Sequence, residues 1–140
     1  KPSTYMNLSG QALQACANFY KIEASDILVC FDDLDLPLGQ TRFKPGGSGG
    51  NHNGMSHIVQ LMGSNIPRLR MGFHPPVELS SASWKNLVLS PIPGSANEAV
   101  TFMLNRAEDG VKLYLKEGIR EAMNQFNRSE EKKNKQQPEN

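Results

Sequence analysis

A glycine-rich stretch, residues 46–54 (GGSGGNHNG), holds the side chains of this chain with the clearest chemical potential. Glycine lets the backbone approach a ligand closely and adopt positive φ, and the helix start that follows offers unpaired N–H groups to an anion or a carbonyl. The stretch is not a P-loop, because no Lys-Ser/Thr follows, and its spacing does not fit a dinucleotide fingerprint. It therefore predicts a binding loop, with a glycine loop of no chemical consequence as the alternative.

Two other polar side chains stand where the chain is expected to change structure. Asp32 follows the apolar run 27–31, and Asn7 lies where an extended segment turns into a helix. Because ligands of α/β sheets sit beyond the carboxyl ends of strands, we expect Asn7, Asp32 and Asn53 to line one crevice. Two of them also have an ordinary structural interpretation, since a lone Asp after a strand is often a turn or cap residue and Asn7 is a good N-cap.

The elements that must position these side chains alternate between strand and helix, which indicates an α/β fold. In the first half of the chain, the patterns predict an extended segment at 5–7, a helix at 9–20 capped by Ser9, and strands at 27–31 and 40–44. They then predict a helix at 55–62 and a strand at 68–73. A further helix is predicted to open with a capping box at 95–98 and to break at Gly118, before a short helix through Phe126. Residues 77–94 are predicted to be loop-like, because they are rich in Ser and Pro.

Length and composition limit what the chain can be. At 140 residues it has room for a single core, and 15 basic against 14 acidic residues leave a net charge of +1. Any affinity for nucleic acid must therefore come from local clustering of charge. Cys16 and Cys30 lie in apolar segments and are predicted to be buried, reduced thiols of an intracellular protein, with a disulfide as the less favoured alternative.

The two ends of the chain lead to separate expectations. Residues 128–140 are charged, rich in amides and free of apolar side chains, which predicts a disordered tail after a domain at 1–127. The chain opens on Lys1-Pro2-Ser3 without an initiating Met, which is typical of a piece of a longer protein. It has no apolar run near 18 residues, so no membrane span is predicted.

Five blocks of sequence can be compared with known families. They are residues 5–10 (YMNLSG), 32–39 (DDLDLPLG), 46–54 (GGSGGNHNG), 68–72 (RLRMG) and 122–127 (AMNQFN). In this order and spacing they resemble bacterial-type peptidyl-tRNA hydrolase over roughly residues 1–127. The resemblance implies a single α/β domain with a mixed central sheet flanked by helices. It also implies a monomeric enzyme, without metal or cofactor, that cleaves the ester between a peptide and the 3′ end of tRNA.

The resemblance assigns roles to individual residues. Asn7 matches an asparagine that holds and polarises the substrate, and Asp32 matches the aspartate that orients the catalytic histidine and stabilises its charged form. Asn53 matches an asparagine that binds the peptide backbone or positions the attacking water. Residues expected to shape the substrate crevice are Tyr5, Met6, Gly50, His52 and Gly54. Residues expected to face the tRNA acceptor stem are Arg42, Lys44 and Arg70, which could equally be ordinary solvated side chains.

The chain also departs from the family pattern. The family's general base is a histidine in an N-terminal segment, and Lys1 falls well inside the family's length. We therefore expect the first strand, the first helix and the base to be missing, and residues 1–140 alone to be nearly inactive. His52 is predicted to be a structural hydrogen-bonding residue rather than a substitute base.

Two functions remain open from the sequence. The first is hydrolysis of peptidyl-tRNA by general base catalysis, in the cytoplasm or a mitochondrion. The second is a catalytically silent RNA-binding relative of the same fold, a class that the resemblance also includes.

Overall fold

The computed structural model describes residues 3–74 and 94–127. A 3-10 turn at Met6–Leu8 leads into helix α1 (Ser9–Tyr20), and a second 3-10 turn at Ala24–Asp26 precedes the first strand. The remaining elements are strands β1 (Val29–Pro37), β2 (Thr41–Lys44) and β3 (Arg68–His74) and helices α2 (Asn53–Met62), α3 (Gly94–Glu117) and α4 (Ile119–Phe126).

The three strands form one mixed sheet in the order β1-β3-β2. Hydrogen bonds from Val29 N to Pro67 O and from Leu38 N to His74 O show that β1 and β3 run in the same direction. The bond from Gly72 N to Gln40 O, together with that from Gly47 N to Ser64 O, shows that β2 runs antiparallel to β3. The predicted α/β class with a mixed sheet is therefore confirmed.

The chain packs as two compact units, and every strand contributes residues to both. Unit 1 comprises Lys1–Phe31 and Lys44–Leu69, and unit 2 comprises Asp32–Phe43 and Arg70–Asn140. The apolar core of unit 1 consists of Ala17, Ile27, Met55, Ile58 and Ile66.

Helices α1 and α2 pack against each other in unit 1 and are joined by polar bonds. The main-chain N–H of Gly10 donates to Nδ1 of His57 over 3.0 Å, and the Gln14 side chain donates to the carbonyl of Leu61. Helix α2 ends at Gly63, as predicted, because the Gly63 N–H turns back to the carbonyl of Val59.

Unit 2 places the ring of Phe43, which is fully buried, 6.2 Å from the ring of Phe126 in an edge-to-face contact. Helices α3 and α4 are separated at Gly118, whose φ of 88° suits glycine and breaks the helix as predicted. Strand β2 shows the predicted alternation, since Thr41 and Phe43 are buried while Arg42 and Lys44 are exposed.

Two predictions about the first elements are wrong. The segment predicted to be extended at 5–7 contains the 3-10 turn at Met6–Leu8. Ser9 does not cap α1, because its hydroxyl donates to the carbonyl of Met6 at 2.8 Å and Leu8 occupies the N-cap position. The preceding turn thus uses the hydroxyl that the pattern assigned to the helix.

Strand predictions also need correction. Strand β1 continues to Pro37, so Asp32 lies inside the strand and not beyond its end. Its acidic side chains are tolerated there because this part of β1 is only partly buried. In β3 the predicted alternation fails at the start, because Arg68 and Leu69 are both buried.

Both cysteines are free and exposed, so the prediction that they are buried is wrong while their reduced state agrees with it. Partial desolvation of the sulfur nevertheless raises the pKa of the Cys30 thiol, which favours its neutral form. The predicted loop at 77–94, apart from Gly94, and the predicted tail at 128–140 lie outside the described residues. No helix within residues 3–74 and 94–127 is both long and apolar enough to cross a membrane.

Candidate active site

The glycine loop enters α2 through His52, which caps the helix with its side chain. His52 Nδ1 accepts the main-chain N–H of Met55 over 3.0 Å, and the His52 N–H donates to the carbonyl of Gly49. This satisfies one of the N–H groups that a helix start leaves unpaired. His52 thus makes the local hydrogen bonds expected of a structural residue, and Asn53 becomes the first residue of α2.

Hydrogen bonding also determines which nitrogen of two imidazoles carries the proton. His52 and His57 both use Nδ1 as an acceptor, so in the neutral ring Nε2 holds the hydrogen. In both rings the Nδ1 lone pair is thus engaged with a main-chain N–H. Phe31 packs edge-to-face on His52 at 5.0 Å between ring centroids and holds the imidazole in place.

Asn7 and Asn53 both belong to unit 1, and their elements touch beside the glycine loop. A methyl group added to Gly54 would lie 2.6 Å from the sulfur of Met6 and 3.0 Å from its carbonyl oxygen. Any larger residue at position 54 would therefore force the Met6 side chain to move. The 3-10 turn that carries Asn7 is thus seated on the first turn of α2, and both asparagines are exposed.

Arg68 is the largest fully buried side chain of the described residues, with 2% of its surface exposed. Its guanidinium donates to the carbonyls of Ser48 at 2.6 Å, Gly47 at 3.0 Å, Ser64 at 3.3 Å and Ile66 at 3.3 Å. Burial lowers the pKa of Arg68 below its ordinary value. The sequence did not predict that Arg68 is buried beneath the glycine loop. The one sign of this role was a charged side chain close to apolar residues.

Asp32 belongs to unit 2, where it is half-buried on β1. Its neighbour Asp33 accepts a hydrogen bond from Nε of Arg70 at 2.5 Å, and both side chains of this ion pair are largely buried. Arg70, predicted to face tRNA, is therefore engaged with an acid of the neighbouring strand. The prediction that Asn7, Asp32 and Asn53 share one crevice stays a prediction.

Arg42 and Lys44 project from the exposed face of β2, on the side opposite to Phe43. This placement agrees with a contact to a polyanion, although an ordinary solvated face would look the same. Within the part of the chain that the structure describes, no three His, Cys, Asp or Glu side chains are grouped so as to hold a metal ion.

Comparisons with known proteins address the family directly. The family model described as peptidyl-tRNA hydrolase matches residues 1–136. This chain belongs to the peptidyl-tRNA hydrolase family. Curated members named peptidyl-tRNA hydrolase are 43% identical over 129 residues in Carboxydothermus hydrogenoformans and 45% identical over 130 residues in Chloroflexus aurantiacus. A crystal structure of peptidyl-tRNA hydrolase from Acinetobacter baumannii superposes with a TM-score of 0.79 at 37% identity.

The match covers most of this chain but a smaller share of its relatives. It includes 91% of the chain and 67–68% of the two curated peptidyl-tRNA hydrolases, and 90% of the chain and 63% of the Acinetobacter baumannii structure. The chain thus spans about two thirds of the length of the family members that it matches.

Proposed function

We propose that this protein hydrolyses the ester bond between a peptide and the 3′ end of tRNA, and so releases tRNA from peptidyl-tRNA. The observation that carries the proposal is the family match over residues 1–136, which includes the glycine loop and the capped start of α2. The seating of Met6 on Gly54 supports it further, because it joins the elements of the two asparagines that the resemblance assigns to substrate.

The chemistry assigned to the residues is general base catalysis. A histidine takes a proton from water as the water oxygen attacks the ester carbonyl carbon, and the C–O bond to the tRNA ribose then breaks. We assign Asp32 to fix the tautomer of that histidine and to stabilise its imidazolium. Amide groups of Asn7 and Asn53 hold the peptide and stabilise the developing oxyanion. Tyr5, Met6, Gly50, His52 and Gly54 shape the surface around them.

Contacts to the tRNA acceptor stem are assigned to exposed basic side chains. Arg42 and Lys44 have the exposure that a phosphate contact needs. Arg70 is retained as a third candidate, but its Nε already donates to Asp33, which leaves fewer donors for a phosphate.

The proposal is tested by single-turnover hydrolysis of a labelled peptidyl-tRNA by the full-length protein and its variants. We expect Asp32→Asn to slow cleavage by about 10²–10⁴-fold, because the base loses its orienting charge. We expect Asn7→Ala and Asn53→Ala to slow it by about 10²–10³-fold each through loss of an amide donor. Binding of peptidyl-tRNA should change far less than the rate.

Matched controls are available on the same elements. Asp35→Asn alters an exposed acid of β1, and Asn18→Ala alters an exposed amide of α1, so both should cleave at the wild-type rate. Tight tRNA binding by the wild type without any cleavage would refute the proposal and support a silent RNA-binding relative. Full cleavage by Asp32→Asn would refute the role of Asp32 alone.

A further inference from the structure

We infer that Arg68 is a positioning residue for the candidate site, because its guanidinium holds the glycine loop that delivers Asn53 to the start of α2. The inference rests on the proposed function, since Asn53 matters only if the loop binds substrate. The guanidinium is fully buried and donates to main-chain carbonyls of the glycine loop.

The acceptors of Arg68 lie on both sides of α2 in the chain. Gly47 and Ser48 precede the helix, and Ser64 and Ile66 follow it. One planar group therefore ties the entry of α2 to its exit. Arginine suits this task because its five N–H donors are arranged in a rigid fork, whereas lysine offers one compact ammonium that cannot reach acceptors on separate segments together.

The loop transmits this restraint to the catalytic candidates. The Gly47 N–H donates to Ser64 O at 2.9 Å, and Gly49 lies so close to Ser56 that a β-carbon would overlap it. The carbonyl of Gly49 then accepts the N–H of His52, the residue that caps α2. A shift of residues 47–48 therefore reaches His52 and Asn53 through the two contacts of Gly49.

Burial of a charge argues for a purpose beyond stability. The hydrogen-bond partners that the structure describes for Arg68 are all main-chain carbonyl oxygens, and burying a guanidinium is costly. A well-packed apolar side chain often stabilises such a position equally well or better. What an apolar side chain cannot supply is a set of donors that hold the loop in one shape.

The test compares Arg68→Lys and Arg68→Met with Arg106→Met in the full-length protein. Arg106 is a half-buried arginine of unit 2 that donates to the carbonyl of Phe126 and lies over the Phe126 ring. We expect both Arg68 variants to speed amide exchange at Gly47, His52 and Met55, whose N–H groups are hydrogen-bonded, by at least about tenfold, while Arg106→Met leaves it unchanged. We expect kcat for peptidyl-tRNA to fall by about 10²-fold with little change in KM.

A variant that leaves a cavity at position 68 distinguishes loss of the guanidinium group from misfolding. Arg68→Ala should regain loop protection and kcat when guanidinium is added at low millimolar concentration, whereas Arg106→Ala should not respond. Unchanged loop exchange in Arg68→Lys and Arg68→Met would overturn the inference. A kcat loss that Arg106→Met reproduces would also overturn it. Absence of cleavage by the wild type would instead refute the proposed function, because the exchange measurement does not depend on activity.

Discussion

Single residues in this protein act through main-chain partners that are distant in the sequence. Asn127, the residue after α4, accepts the N–H of Phe43 through Oδ1 at 2.7 Å and donates through Nδ2 to the carbonyl of Phe43 at 2.8 Å. The Asn127 side chain thus makes the two main-chain hydrogen bonds that a neighbouring strand would otherwise make with Phe43. Because Phe43 is fully buried, its main-chain groups would otherwise lack water as well as protein partners.

Replacing Asn127 therefore tests how strongly this pairing stabilises unit 2. We expect Asn127→Leu to lower the free energy of unfolding by about 2–4 kcal/mol, because two buried main-chain groups lose their partners. Asn127→Asp keeps the acceptor and loses the donor, so its loss should be smaller. Denaturant unfolding measures both, with the exposed Asn124→Leu as control. A loss no greater than that of Asn124→Leu would show that the pairing contributes little.

At the scale of elements, α2 holds together the part of the candidate site that lies in unit 1. Its start is capped by His52, and its first turn supports Met6. His57, the fifth residue of the helix, accepts the N–H of Gly10 from α1. Most of these contacts are hydrogen bonds or involve glycine. They therefore position the neighbouring segments more than they bury apolar surface. The rest of the helix supplies apolar side chains to the core of unit 1.

The cap of α2 gives a prediction at this scale. We expect His52→Ala to destabilise the helix start by about 0.5–2 kcal/mol, because the Met55 N–H loses its acceptor. Asparagine is a good N-cap, so His52→Asn should recover most of that loss. Thermal unfolding and exchange of the Met55 amide report the effect, and Gln60→Ala on the exposed face of α2 is the control. Equal losses in His52→Ala and His52→Asn would contradict the capping role.

At the scale of the whole molecule, charge is nearly balanced, with a net charge of +1. A polyanion such as tRNA therefore gains little from the overall field and depends on where basic side chains are exposed. Arg42 and Lys44 alternate on the exposed face of β2, whereas Arg68 and Arg70 are committed to carbonyls and to Asp33. The four basic residues of β2 and β3 thus divide into an exposed pair and an internally bonded pair.

This division predicts how salt affects tRNA binding. We expect Arg42→Ala and Lys44→Ala each to weaken binding and to reduce the slope of log K against log salt by about 0.7–0.9, the value for one phosphate contact. Arg70→Ala should reduce the slope less, because its side chain is already paired with Asp33. Arg120→Ala, an exposed change on α4, is the control. Unchanged slopes in both β2 variants would rule out phosphate contacts there.

Local patterns in the sequence determined the α/β class, the alternation of β2 and the helix breaks at Gly63 and Gly118, because periodicity and turn chemistry act over a few residues. The family was indicated separately, by the resemblance of five blocks of sequence in their order and spacing. Tertiary structure decided the rest. Arg68 meets Ser48 across 20 positions, Arg70 meets Asp33 across 37, and Asn127 meets Phe43 across 84. No local pattern reports such pairs, since burial and hydrogen-bond partners depend on which distant segments pack together. For the same reason, the apolar run predicted that the strand ends at residue 31, whereas β1 continues past Asp32 to Pro37.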